Sequence, residues 1–205
     1  VLPRYFISGH PMAGSHGSGF GSANEDLFQG TLWNLVVDKD LDALRLLDLM
    51  QVILGLGASL HLCSQAWHDE TVSIVSGLPH AMALSLGALA SAVPDSQARL
   101  TLAAGSFRGA TRVLLSDPRF VEDLLRCNRS TLLPLLRATR NYLEDIERWI
   151  GAGDTDPLRE MIAAARDEID AMNVEGSASE AIVPISEAIG FVSRVRDQGI
   201  VIDRM

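Results

Sequence analysis

Three short segments hold the residue types that could do chemistry. The first is Gly9-His10-Pro11-Met12-Ala13-Gly14-Ser15-His16, which opens a run rich in Gly, Ser and Asn over 9–26. Pro11 restricts His10 to extended backbone. That holds an imidazole at the end of a strand, where open α/β sheets bind ligands. A histidine titrates near neutral pH and suits proton transfer with a substrate hydroxyl. Taken alone, the residue is equally consistent with a loop histidine that has no task. The second segment is Ser76-Gly77-Leu78-Pro79-His80, within a long apolar stretch. Pro79 has no N–H for the carbonyl of Val75, so a helix should bend there. A bend beside a histidine makes a pocket wall. Pattern alone favours a core histidine satisfied by a neighbouring hydroxyl. The third segment is Ala103-Ala104-Gly105-Ser106-Phe107-Arg108-Gly109-Ala110-Thr111-Arg112. Small residues admit a close neighbour, and an arginine fork binds carboxylates in bidentate fashion. Surface arginines bonded to local acids are the plain alternative.

Other chemistries are poorly served. Gly17-x-Gly19 is followed by Ser22, which breaks GxGxxG, and the loop leads into a strand, not a helix. No Walker loop, catalytic carboxylate pair, metal cage or nucleophile triad stands out. Lys39 is the only lysine among 17 basic residues, which nearly excludes lysine-based covalent chemistry. Acidic residues number 26, for a formal charge of −9, so nucleic acid is a poor candidate partner. Cys63 and Cys127 form no CxxC and no metal-ligand spacing. They read as reduced thiols of a cytosolic protein.

The elements that must position these residues fall into three parts. Over 1–64 the pattern is α/β: a strand near 4–9, a strand at 31–37, a helix at 40–55 with apolar Leu41, Leu44, Leu47 and Val52, and a strand at 59–63. Such alternation belongs to a parallel sheet. Over 65–173 the pattern is all-helical, with helices at 66–93, 95–115, 117–150 (kinked at Pro134) and 157–172. Over 174–205 a strand at 181–185, a helix at 187–197 and a strand at 200–202 form a tail. The uncharged stretches 49–67 and 72–94 approach the roughly 20 residues of a membrane span. Their Gly, Ser, Pro and His content, without flanking basic residues, reads as buried soluble helix and not as a membrane segment. The chain starts at Val1 without a charged leader, and it reads as a fragment whose N-terminal part lies upstream.

In their order and spacing, four stretches resemble the prephenate/arogenate dehydrogenase family of tyrosine biosynthesis. They are Gly9-His10-Pro11-Met12-Ala13-Gly14; His68-Asp69 with Ser76-x-Leu78-Pro79-His80; Ala104-Gly105-Ser106-Phe107-Arg108-x-x-Thr111-Arg112; and Ser116-Asp117-Pro118 with Asn128. The resemblance covers about 1–172. It implies a mainly α chain: an all-helical dimerisation domain preceded by the last strands of a Rossmann-type domain, with the Gly-rich cofactor loop upstream of Val1. It implies NAD- or NADP-dependent oxidative decarboxylation of prephenate or arogenate by a cytoplasmic homodimer, with tyrosine as feedback inhibitor and no metal. By motif, His10 matches the catalytic histidine, Ser15 a substrate-proximal residue, His80 a wall of the substrate pocket, and Arg112 the arginine that binds a substrate carboxylate.

Four positions depart from the family pattern. His16 stands for a usual Glu, Gly77 for a His, Gly109 for an Asp and Val121 for a common Trp. These departures keep open a non-catalytic, dimerising or ligand-sensing relative. Another hydroxyacid dehydrogenase is a weaker third reading, because Lys39 is ill placed for the helix-borne lysine that such enzymes commonly use. The tail from Ile182 to Met205 resembles the opening of an ACT regulatory domain, without its usual Asp-Arg-Pro-Gly turn.

Overall fold

A computed structural model of the chain describes residues 6–14, 19–37, 41–172 and 200–202. The chain divides into two compact units, Val1–His68 with Ser177–Met205, and Asp69–Gly176.

The first unit carries a four-stranded sheet in the order β1-β2-β3-β4. Its strands are β1 (Ser8–Pro11), β2 (Leu32–Val36), β3 (Ser59–Cys63) and β4 (Ile200–Ile202). Only β2 and β3 are parallel; β1 is antiparallel to β2, and β4 to β3. The fully parallel sheet expected from strand–helix alternation is therefore corrected. Parallel strands need a crossover, usually a helix. Helix α1 (Ala43–Gly55) supplies one between β2 and β3, whereas the described part of the β1–β2 connection has only a 3₁₀ turn, Phe20–Ser22. Of the expected tail, the strand at 200–202 is present on the first unit's sheet, and 181–185 and 187–197 lie outside the described residues.

Helix α1 starts where the Asp42 carboxylate accepts from the N–H groups of Leu44 and Arg45, at 3.1 and 3.4 Å. Its buried face is Leu46, Met50 and Ile53, packed with Leu35, Val37, Leu60 and Leu62. Of the expected apolar residues, Leu41 and Leu47 pack partly buried against this core, whereas Leu44 and Val52 are 61% and 62% exposed. Arg45, Asp48 and Gln51 share the side of the helix that carries Leu44 and Val52, and this polar side turns the other stripe to the sheet.

Gly9 lies where β1 crosses this core. A Cβ there would sit 2.9 Å from the Trp33 Nε1 and 3.1 Å from a methyl of fully buried Leu35. The partly buried Trp33 ring and the fully buried Leu35 would have to shift, so Gly9→Ala is expected to destabilise the unit by about 1–3 kcal/mol. Urea denaturation checks this, and an unchanged midpoint would contradict it.

The second unit is helical. Helix α2 (Gln65–Val72), whose residues up to His68 belong to the first unit, runs through a π turn (Ser73–Gly77) into α3 (Leu78–Ala92). Together Gln65–Ala92 is long and apolar enough to cross a membrane by length and composition. Within the unit, the π turn and α3 pack against other helices, and Ser73, Gly77, His80 and Ala83 are buried. The bend expected at Pro79 is absorbed one turn earlier. The Leu78 N–H reaches back to the Ser73 carbonyl, and the wider turn brings Pro79 into the first turn of α3, where it needs no donor.

The helix expected at 95–115 is three short pieces: α4 (Ser96–Leu100), α5 (Gly105–Thr111) and a 3₁₀ stretch, Arg112–Leu115. Gly105 and Gly109 give this segment little intrinsic helicity. The helix expected at 117–150 is two, α6 (Pro118–Cys127) and α7 (Arg129–Ala152). The break falls at Asn128, not at Pro134. The Asn128 side-chain amide donates to the Leu124 carbonyl at 2.8 Å, closing α6. Its own carbonyl accepts from Leu132 N–H at 2.9 Å, opening α7. Helix α8 (Asp156–Met172) follows the left-handed Gly153.

Candidate active site

The first unit gathers its polar groups on one face of the sheet. In register, His10 of β1 pairs with Asn34 of β2, and Asn34 pairs with His61 of β3. Directly paired residues project to the same face. The next row, Gly9, Leu35 and Leu62, projects to the other face, where α1 covers it. Strand geometry thus separates a greasy face from a histidine-bearing one.

Helix α2 adds Trp67 and His68 to the polar face. The His68 Nε2 lies 3.0 Å from the His10 Nδ1, with the rings edge-on at 5.3 Å between centroids. The His61 Nδ1–H donates to the Asn34 Oδ1 at 2.6 Å, and the Cys63 thiol donates to the same oxygen at 3.2 Å. The His61 ring lies 4.6 Å from that of Trp67. The buried Asn34 Nδ2 has no partner among the described residues. Burial first, and then the charge of His68, push both His10 and His61 below the ordinary histidine value. His10 is thereby held neutral at pH 7, the state in which an imidazole can accept a proton.

These shifts make stability depend on pH. In the unfolded chain both histidines take up a proton near 6.5. In the folded chain they do so only at lower pH. Between those values the unfolded state holds more protons, so stability falls as pH drops below about 6.5 and levels off beneath the folded values. The urea midpoint is expected to be lower at about pH 5.5 than at about pH 7.5. His61→Gln, which removes one titrating group, should lessen that drop; an equal drop in the variant would contradict this account.

The second unit holds two more of the residues singled out by sequence. His80 is 8% exposed, and its Nδ1–H donates to the Ser76 carbonyl at 2.8 Å. A backbone carbonyl thus satisfies it, not the expected hydroxyl. The Phe120 ring lies edge-on to it at 6.1 Å. Arg112 is exposed and opens the 3₁₀ stretch that packs on α3. Arg108 is occupied locally, its Nε–H donating to the Ala103 carbonyl at 3.1 Å. Ser15 and His16 lie outside the described residues. Gly77 is where α7 comes close: a Cβ would lie 3.4 Å from a methyl of buried Leu132. A Cβ at Gly109 would meet open space. No group of three or more His, Cys, Asp or Glu among the described residues could hold a metal ion.

Sequence reasoning missed Asn34 and His61 as neighbours of His10, and His68 as its partner. The available signal was three polar residues, Asn34, His61 and Cys63, at alternating positions of otherwise apolar strands.

An α/β unit with a strand-borne, neutral histidine, followed in sequence by an all-helical unit, is the arrangement of two-domain dehydrogenases. Residues 1–62 match the family model "Prephenate dehydrogenase, nucleotide-binding domain", and residues 64–164 match "Prephenate dehydrogenase, dimerization domain". The chain belongs to the prephenate dehydrogenase family. It is 32% identical over 178 residues to the prephenate dehydrogenase of Bacillus subtilis, covering 84% of this chain and 47% of that one. It is 31% identical over 163 residues to the cyclohexadienyl dehydrogenase of Zymomonas mobilis, covering 78% and 55%. The structure of Synechocystis arogenate dehydrogenase matches with a TM-score of 0.72 at 27% identity, covering 82% of this chain and 61% of that chain. That of the prephenate dehydrogenase from A. aeolicus in complex with hydroxyphenyl propionate and NAD+ matches with a TM-score of 0.74 at 25% identity, covering 82% and 59%. The chain spans about half the length of the curated relatives it matches.

Proposed function

We propose that the protein to which this chain belongs is a cytoplasmic, NAD- or NADP-dependent dehydrogenase that oxidises and decarboxylates prephenate or arogenate. The observation that carries this reading is His10. It stands in the Gly9-His10-Pro11-Met12 motif, it is held neutral, and its Nδ1 is engaged by His68 so that Nε2 is left to meet a substrate.

In this reading the His10 Nε2 hydrogen-bonds the hydroxyl at ring C4 and takes its proton as the C–O double bond forms. A bound nicotinamide would supply the acceptor for the hydride that leaves C4. The bond to the ring carboxylate breaks, CO2 leaves, and its electron pair completes the aromatic ring. The proton then returns from His10 to the phenolate oxygen, so no net proton is released. Arg112 binds a substrate carboxylate as a permanently charged fork. His80, its Nδ1 fixed by the Ser76 carbonyl, presents a defined Nε2 acceptor as a wall of the substrate pocket. Ser15 contributes beside the substrate hydroxyl. The described residues offer no cradle for a dinucleotide's phosphates. Gly19 and Gly21 lead through a 3₁₀ turn into β2 instead of opening a helix.

The test is nicotinamide reduction by the complete gene product, crossing prephenate and arogenate with NAD and NADP. Turnover in one combination supports the reading and fixes both specificities. No turnover in any combination, from folded protein, overturns it in favour of a non-catalytic, ligand-sensing relative. His16, Gly77 and Gly109 would then be the residues to explain.

The second unit is proposed to hold a homodimer together. Leu89, Leu102, Leu115 and Ile150 are 66%, 86%, 75% and 66% exposed, more apolar surface than an isolated helical unit normally leaves in water. Light scattering at micromolar concentration is expected to give twice the chain mass; a monomer would contradict this. Tyrosine, the product or its near derivative, is the feedback ligand to include in the same assays.

A further inference from the structure

The contact between His10 and His68 goes beyond the motif reading of either residue. They are 58 residues apart in sequence and meet at 3.0 Å, Nδ1 to Nε2. A neutral imidazole carries one proton, so one ring must donate and the other accept. Two arrangements are possible. If His68 donates, the His10 proton sits on Nε2, and that nitrogen cannot take another. If His10 donates, its proton sits on Nδ1, and Nε2 is a base.

We infer that His68 is a positioning residue for His10. Its Nε2 accepts the His10 Nδ1–H, fixing the tautomer in which the His10 Nε2 is the proton acceptor. This rests on the proposed role of His10 as the base.

Several features of the structure agree with this assignment. His10 sits in β1 with its backbone paired to β2, and His68 sits in the first turn of α2, so the contact joins two regular elements. The His10 Nε2 has no partner among the described residues. When His10 takes up a proton at Nε2, its Nδ1–H remains donated to His68, so the new imidazolium keeps its orientation. The neighbouring His61 has its Nδ1–H committed to Asn34, so it does not compete for this bond through that nitrogen. The charged group that bears on His10 is His68 on α2, which bears on His61 of β3 as well.

Two variants separate an acceptor from mere bulk. His68→Gln keeps a neutral acceptor near the place of Nε2. His68→Phe keeps a ring and removes the acceptor. The first readout needs no turnover: long-range ¹⁵N–¹H spectra of the imidazoles in the chain at neutral pH. His10 is expected to carry its proton on Nδ1 in wild type and in His68→Gln, and to shift toward the Nε2-protonated form in His68→Phe. The second readout is kinetic, in the complete gene product. His68→Phe should lower kcat by about 100-fold, the scale of a misplaced catalytic group, with KM for the nicotinamide unchanged. His68→Gln should retain most of kcat.

A wild-type His10 protonated on Nε2, or a His68→Phe variant with wild-type spectra or wild-type kcat, overturns the assignment. If wild type fails to turn over any substrate pair, the dehydrogenase reading falls, and the spectra alone decide the role of His68. Should His68→Phe not fold, the spectra of wild type and of His68→Gln decide the question. A His68→Gln variant with His10 protonated on Nε2 counts against the assignment.

Discussion

Replacing His10 by asparagine in the complete gene product is expected to lower kcat by about 10²- to 10⁴-fold, the usual worth of a positioned general base. The Kd for the nicotinamide cofactor is expected to stay unchanged. Asparagine fits the same strand position and can still donate a hydrogen bond toward His68, so sheet and helix keep their arrangement. What it lacks is a basic nitrogen for the C4 hydroxyl proton. Proton transfer then falls to water, which is less basic and not held in place. Steady-state kinetics together with fluorescence titration of the cofactor separate the two effects. Retained turnover in the variant would remove His10 as the base. A parallel loss of cofactor binding would assign it to binding instead.

The second large effect is expected at Arg112. Arg112 is an exposed residue at the start of the 3₁₀ stretch that packs on α3. A carboxylate contact made in both ground and transition states contributes to KM more than to kcat. Charged hydrogen bonds contribute about 1.5–3 kcal/mol, so Arg112→Ala should raise KM for the substrate by about 10- to 100-fold with kcat little changed. The fold supplies a control. The Arg108 guanidinium reaches the Ala103 carbonyl at the start of α5, and its loss should show in stability and not in KM. Equal KM effects at both positions would mean that the segment as a whole, not Arg112, governs binding. An unchanged KM in Arg112→Ala would refute the carboxylate contact.

The individual elements were largely legible, because local chemistry decides them. Strand β3 was expected at 59–63 and found at Ser59–Cys63, since a short apolar run after a left-handed Gly57 has few alternatives. The first long helix was expected at 66–93 and found as Gln65–Ala92, and the last helix was expected at 157–172 and found as Asp156–Met172. What was not legible depends on partners distant in sequence. The direction of β1 depends on whether a crossover helix separates it from β2. The break at Asn128 depends on one side-chain amide outcompeting helix continuation.

The candidate site follows the same division. His10, His80 and Arg112 were visible through motif and residue type. The row from His10 through Asn34 to His61 exists only once strand register is known, and the contact from His10 to His68 only once α2 is docked on the sheet's polar face. His80 was read correctly as buried, but its partner is the Ser76 carbonyl, which a sequence pattern does not reveal.

In the proposed reaction, hydride transfer and loss of the ring carboxylate occur together. Released CO2 and reduced nicotinamide are therefore to be measured in one assay, with prephenate or arogenate as substrate for the complete gene product. Equal amounts of the two, with a 4-hydroxyphenyl product, are expected. Nicotinamide reduction without CO2 release, or neither from a folded protein, would overturn the proposed function.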